Sequence, residues 1–252
     1  MDWESLAVIS SVFLFGFLEN LFPFFNFKQS FQSKTDTNLI LGIVNLTASS
    51  LTTALLLNWV WQQSIWQGFF HWIKSPLLGI ALSFLLLDAY MYIWHRWMHT
   101  IPIAWHFHKV HHTEVSMNTS TAYRFHPVEA IASNIPKLFL VLLFGITPRY
   151  LLFYETLLAI ELIFHHSNWA IPRQIDKFLS YIIVTPNCHR VHHSESLKES
   201  QSNYASFLSI WDRLFNSYYY PQYPDKIKLG LHESYQKFNS LSLLMLPFAK
   251  KF

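Results

Sequence analysis

Long apolar runs broken by short polar connectors set the pattern of this chain. Leu6 to Leu18 is apolar, follows Asp2 and Glu4, and stops at Glu19, Asn20 and Pro23. A secretory leader opens on basic residues, so this run is expected to be a retained anchor. Leu39 to Val60 is a second run, long enough to cross a hydrocarbon core of about 30 Å. Leu77 to Trp94 is a third, entered through Pro76, and it is expected to deliver His95 at its exit. Ile131 to Ile146, with Pro136 as an expected kink, and Leu151 to Phe164 are shorter. Together they predict a helical hairpin, tight or partly re-entrant. The pattern divides one integral-membrane domain, 1–252, into N-terminal spans (1–94), a histidine-bearing cap (95–130 and 165–220), the hairpin (131–164) and a tail (221–252).

The polar side chains beside these runs are unusual. Asp88 to His112 holds His95 and His99 in H-x-x-x-H spacing, then His108, His111 and His112 in H-x-x-H-H. A second H-x-x-H-H follows far downstream as His189, His192 and His193. On a helix, positions i, i+3 and i+4 share a face, so each cluster is expected to aim two or three imidazoles at one point. With 14 histidines in 252 residues, ~0.04 copies of the triplet are expected by accident. Imidazole is the commonest side-chain metal ligand.

Composition strengthens the membrane reading. Hydrophobic residues make up 52% and charged residues 13%, against about 25% charged in soluble domains. Mean hydropathy is +0.20. Trp59, Trp61, Trp66 and Trp72 predict an interfacial belt. The net charge of +3, without a Lys/Arg stripe, gives no case for nucleic acid. The single cysteine, Cys188, excludes an internal disulfide and is expected to be a small buried apolar residue. Lys28 and Lys34 in one connector, Lys74 alone in the next, and Arg96, Lys109, Arg124, Arg173, Lys177 and Arg190 beyond set the topology. By the positive-inside rule the N-terminus lies outside and every histidine cluster is cytoplasmic.

Eight histidines exceed the needs of one metal, since catalytic zinc takes about three protein ligands. Two metals with open positions fit the number. Zinc has no redox chemistry, whereas iron with open positions activates dioxygen. A redox pair at the edge of a lipid bilayer points to oxidation of an unactivated C–H bond in a lipid. A histidine-rich metal transporter or metal-binding protein is the alternative, because intramembrane histidines also mark ion paths. A bis-histidine haem protein would need single histidines on facing spans.

The runs DAYMYIWHRWMH, WHFHKVHH, RFHPVE, HSN, TPNCHRVHH and NYASFLSIWDRLF resemble the fatty acid hydroxylase / sterol desaturase superfamily, from roughly Leu77 to Tyr218. The resemblance implies an all-α, multi-pass bundle of about four spanning helices with a cytosolic cap holding the metals. It implies two iron ions, dioxygen as co-substrate, a lipid substrate and an external electron donor of cytochrome or ferredoxin type. By position, His95, His99, His108, His111, His112, His189, His192 and His193 match the metal-binding motifs, and His166 matches a ninth ligand. The resemblance gives no catalytic residue beyond these. His126, in RFHPVE, is left open between ligand and support, and His165 is expected to be support or bystander. Asn203-Tyr204-Ala205 and Leu214-Phe215-Asn216-Ser217 depart from the family's NYG and LFGT, which bears on local turns.

Ligating imidazoles usually donate their second N–H to a carboxylate or carbonyl. Asp88, two turns before His95 and inside an apolar run, is the leading candidate for that role. Glu129, Glu161, Asn168 and Asp212 follow. Asp212 also reads as a helix cap or a partner of Arg213, and Arg124 as a partner of Glu129. His71 and His232 stand alone as surface or interface histidines.

Overall fold

The computed structural model describes residues 2–27, 31–62, 67–231 and 238–249. Lys28, Trp66 and His232 fall outside the described residues, as do the side chains of Lys34 and Trp61. Among the described residues the chain is helical, with isolated bridges in place of strands. Six longer helices come first: α1 (Trp3–Leu21), α2 (Phe31–Gln62), α3 (Pro76–Thr100), α4 (Pro102–His112), α5 (Pro127–Phe144) and α6 (Pro148–His166). Five short ones follow: α7 (Arg173–Leu179), α8 (Pro186–His192), α9 (Leu197–Ser200), α10 (Ile210–Leu214) and α11 (Ser240–Met245).

Four helices are long and apolar enough to cross a membrane: α1, residues Thr35–Leu55 of α2, α3, and α5. At 1.5 Å per residue they span about 27–38 Å. Their outward faces carry Phe13, Phe17, Ile43, Leu46, Leu55, Leu77, Ile135 and Phe139, all exposed. An apolar surface this continuous belongs in lipid, and the chain is a membrane protein. Trp59 and Trp72 are exposed at the end of the bundle remote from the histidines.

Local chemistry explains the helix ends. Ser75 caps α3, accepting from the Leu78 amide at 3.4 Å, and Pro76 occupies the first turn. Ile101 precedes Pro102, and that position disfavours helix, so α3 stops there. α3 therefore runs two turns past Trp94, where an exit was expected. His95 and His99 stay on its own face instead of entering a loop.

The segment between α2 and α3 meets the α5–α6 turn: a Cβ on Gly68 would lie 2.1 Å from the Gly145 nitrogen. Both glycines have positive φ, 77° and 67°, a region that side chains disfavour. The α5–α6 pair thus reaches the same depth as α2 and α3 before returning. The two helices are joined by the three-residue turn 145–147. α5 packs chiefly on α2, while α6 packs on α1 and α3. Pro136 sits inside α5. Leu87, Val141, Ile146, Leu151, Tyr154 and Leu158 form the core at the end away from the histidines.

The cap folds back on the other end. The C-terminal segment does more than trail. Leu243 and Leu246 pack with Leu41 and Val110, and Ile227 and Leu229 pack with Met117 and Val191.

Candidate metal centre

Four helices bring nine histidines together at the cap end of the bundle. α3 carries His95 and His99, α4 carries His108, His111 and His112, and α6 ends in His166. α8 carries His189 and His192, with His193 as its C-terminal residue. They form two groups, His95, His99, His108, His112 and His192 in one and His111, His166, His189 and His193 in the other. Within each group the nitrogens that face inward all lie within 4.8 Å of one another.

Each H-x-x-H-H triplet is divided: two of its rings aim at one group, within the expected two or three, and the remaining ring enters the other group. At 100° per residue, i and i+4 lie about 40° apart, while i+3 and i+4 are separated by about 100°. On α4 the i, i+4 pair, His108 and His112, enters the first group and His111 the second. On α8 the assignment is reversed: His189 and His193 enter the second group and His192 the first. The groups adjoin, with the rings of His112 and His193 stacked at 4.5 Å between centroids.

Ring orientation is fixed from behind. The Nδ1 atoms of His95, His192, His166 and His111 meet backbone carbonyls of Tyr204, Ser202, Leu162 and Arg124 at 2.8, 2.7, 2.7 and 3.3 Å. His108 Nδ1 meets Glu129 Oε1 at 2.8 Å. Donation to these oxygens leaves the Nε2 lone pairs facing inward. His108 Nε2 lies 3.2 Å from both His95 Nε2 and His112 Nε2. In the second group the Nε2 atoms of His111 and His166 are 3.1 Å apart, and those of His166 and His189 2.9 Å. Two nitrogens held ~2.1 Å from one ion at right angles would sit ~3.0 Å apart. Nε2 of His99 and of His192 is buried with no hydrogen-bond partner. Lone pairs converging at that spacing, two of them otherwise unsatisfied, fit a metal.

Electrostatics favour the ligand form. Burial, reinforced by repulsion from neighbouring imidazoles, holds His111, His112, His189 and His193 well below the usual histidine range. Burial takes His192 down to about 3. The rings are neutral at physiological pH, as coordination requires.

Part of each group opens on a cavity of about 500 Å³ between α2, α3, α5 and α6. Leu39, Ile43, Leu46, Met91, Trp94 and Leu162 make its apolar wall, and His95, His108, His111, His166 and His189 reach its histidine end.

A family model described as fatty acid hydroxylase matches residues 80–217, more than half of the chain. The chain belongs to the fatty acid hydroxylase family. The match takes in all nine grouped histidines. An alkylglycerol monooxygenase of Danio rerio is 31% identical over 73% of this chain and 41% of its own length. An ornithine lipid hydroxylase, OlsE, of Rhizobium tropici is 26% identical over 99% of this chain and 76% of its own. A Delta(7)-sterol 5(6)-desaturase of Candida albicans is 29% identical over 59% of this chain and 36% of its own. The chain thus spans less than half the length of two of these relatives. No solved structure matches it. All three names describe oxidoreductases.

The other residues singled out from sequence hold the site without entering it. Asp88 does not reach an imidazole. Its Oδ2 accepts from the Trp211 indole at 2.8 Å and the Leu208 amide at 3.1 Å, tying α3 to α10. Seven residues of helix put it about 10 Å below His95, beyond a carboxylate's reach. Asp212 accepts from the amides of Tyr204 and Ala205 at 2.8 and 3.1 Å and from Ser217 Oγ at 2.7 Å. It therefore acts through Tyr204, whose carbonyl orients His95. Asn168 clasps Phe25 through both side-chain atoms, at 3.0 and 2.9 Å. His126 caps α5, its Nδ1 accepting from Val128 N and its Nε2 meeting the Leu244 carbonyl, both at 3.1 Å. Both its nitrogens are engaged away from the two groups. His165 stacks near His189, 4.0 Å between centroids, lies 3.8 Å from Glu161, and belongs to neither group. Arg124 does not pair with Glu129, which holds His108. It lies 3.6 Å from Glu114 and donates to Asn38 Oδ1 at 2.8 Å.

Sequence reasoning missed several supports. Glu19 accepts from Thr119 N, Thr119 Oγ1 and Asn168 N at 3.0, 2.8 and 2.8 Å, pinning α1 to the cap. Arg190 is fully buried, donates to Asn187 Oδ1 and to the Ser167 and Trp169 carbonyls, and lies over the Phe24 ring. A carboxylate closing an apolar run, as Glu19 does, was the available signal. Cys188 is buried, and burial pushes its thiol up to about 12, as an inert residue requires.

Proposed function

We propose that this chain is a membrane-bound di-iron oxidoreductase that uses dioxygen to hydroxylate or desaturate a C–H bond of a lipid. One observation carries the reading: two adjoining, nearly all-nitrogen groups stand at the end of an apolar cavity inside a membrane bundle. His95, His99, His108, His112 and His192 would hold one iron, and His111, His166, His189 and His193 the other. When bound, the irons supply the dioxygen-derived oxidising power that an unactivated C–H bond demands.

The chain's own residues do the rest. Leu39, Ile43, Met91 and Leu162 hold the lipid chain by burial and keep water from the reacting carbon. Glu129 and the carbonyls of Tyr204, Ser202, Leu162 and Arg124 lock five of the nine imidazoles, those of His108, His95, His192, His166 and His111, in one tautomer and orientation. Electrons come from an external protein of cytochrome or ferredoxin type. Arg96, Lys109, Arg124, Arg173, Lys177 and Arg190 all fall at the histidine end, and Lys74 and Arg149 at the other, which supports a cytoplasmic metal site. A metal transporter would need ligands along the path across the bilayer, whereas the two groups sit together at one end.

Metal analysis and lipid analysis test this together. Purified protein should hold about two irons per chain and show no haem absorption. Host membranes with and without the gene should differ by a lipid shifted by one oxygen or two hydrogens. Loosely held zinc with an unchanged lipid profile would refute the proposal.

A further inference from the structure

The histidine-lined cavity is not uniformly apolar: besides Glu129 at the histidine end, Asn45, Asn134, Lys137 and Glu155 line it. Lys137 on α5 and Glu155 on α6 form an ion pair of 2.7 Å in its wall. Lys137 lies two turns beyond Glu129, about 12 Å along α5, and Glu155 lies about 16 Å along α6 from His166. Both sit near mid-span, where a charge is costly and marks function more often than support. A pair needed only to join two helices is replaced by apolar residues of equal volume at little or no loss. Here α5 and α6 diverge, and the pair bridges the gap between them facing the cavity. Two further groups face the same space unsatisfied. Asn134, 6% exposed, lines the cavity, and its side chain has no hydrogen-bond partner among the described residues. Asn45 donates to the Tyr123 and Phe125 carbonyls, but its buried Oδ1 has no partner.

We propose that Lys137, Glu155, Asn134 and Asn45 form a polar subsite for a lipid that carries a second hydrogen-bonding group remote from the oxidised carbon. Lys137 donates, Glu155 accepts, and the Asn134 amide does both. The group that satisfies this set is one that donates and accepts together, a hydroxyl or an amide N–H and carbonyl. Lys137 and Glu155 set its distance from the atom oxidised, about 12–16 Å along the helices, while Asn134 and Asn45 lie nearer the histidines. The inference rests on the proposed lipid oxidation for its orientation, with the reacting carbon at the histidine end. A plain hydrocarbon chain would leave the amides and the ion pair without partners in a low-dielectric cavity, which disfavours it.

Binding, read without turnover, separates the two readings. A tritiated long-chain alcohol bound to the detergent-solubilised full chain is displaced by the same alcohol or by the alkane of equal length. The alcohol should bind about tenfold more tightly than the alkane, the worth of one hydrogen bond to a charged group. The double variant Lys137→Met/Glu155→Gln, which leaves no orphan charge, should erase that preference while keeping affinity for the alkane. Equal affinities in the unaltered chain, or an undiminished preference in the variant, would overturn the subsite. If the double variant does not fold, Asn134→Leu replaces it and should reduce the preference about fivefold. Full preference in that variant overturns the proposal equally. A preference for the alcohol over the alkane that disappears as expected in a chain oxidising no lipid would leave the subsite standing and remove the oxidoreductase reading.

Discussion

Glu129→Gln tests whether the first metal group is held from behind as the geometry requires. Glu129 is 6% exposed and receives His108 Nδ1–H at 2.8 Å, while its second oxygen has no partner. Glutamine keeps the shape and a carbonyl acceptor but removes the charge. A hydrogen bond to a charged group contributes about 1.5–3 kcal/mol and a neutral one about 0.5–1.5. The difference, about 1–2 kcal/mol, is a loss of roughly 5–30-fold in affinity for the iron at the first group. Glu129→Ala removes the acceptor entirely and should reach the 10–100-fold range of lost outer partners. His111 and His166 rest on backbone carbonyls, so the second iron should be unaffected. Chelator competition on iron-loaded protein resolves the two as separate phases. Loss of both phases to the same extent would mean that Glu129 supports the fold of α5 and not one ligand. No loss in either phase would refute the assignment of His108.

The remaining predictions probe ligands, packing and protonation. His192→Ala or His111→Ala should lower iron from about two per chain toward one and abolish lipid oxidation, with membrane insertion intact; full activity in either would refute the shared centre. Asp88→Ala strands the Trp211 indole and the Leu208 amide, so the cap should lose about 2 kcal/mol or more and become sensitive to protease near α10. Gly145→Ala brings a Cβ to 2.1 Å from the Gln67 carbonyl at a φ of 67°, and a melting curve in detergent should fall by several degrees. The metal-free protein should lose stability on acidification. Its cap histidines lie below the ordinary value, His192 at about 3, so only the unfolded chain takes up their protons. Loss should begin as pH falls through about 6.5 and grow towards 3, and a flat melting temperature over that window would refute the burial argument.

Much of this was legible in the chain before folding, and the remainder failed for identifiable reasons. Spans show in sequence because lipid imposes an apolar run of fixed length. The motif histidines show because their spacing is improbable by accident. Asp88 misled because helical phase alone was used: it shares a face with His95 but stands about 10 Å away along the axis. Glu129 was ranked low because its partner lies on another helix, and no local spacing encodes that meeting. Glu19, Asn38 and Arg190 escaped for the same reason, since each acts over a long sequence separation. The tail was misjudged because Leu243 and Leu246 form only a short apolar patch until Leu41 and Val110 are placed opposite them.

The division of the triplets has a consequence for how the two centres are spaced. His111 and His112 are neighbours in sequence but face different groups, and so are His192 and His193. Neither centre can move along α4 or α8 without carrying the other. The separation is then a property of helical phase, about 100° between successive residues, and not of loop conformation. α3 and α6 supply the remaining rings, two to one group and one to the other, from helices that also bound the cavity. Asp88 and Trp211 fasten the cap to α3, and Glu19 fastens it to α1 through Thr119 and Asn168. The same spans that wall the cavity thereby set its distance from the two histidine groups. A cap attached only by loops would leave that distance free, and with it the choice of carbon to be oxidised.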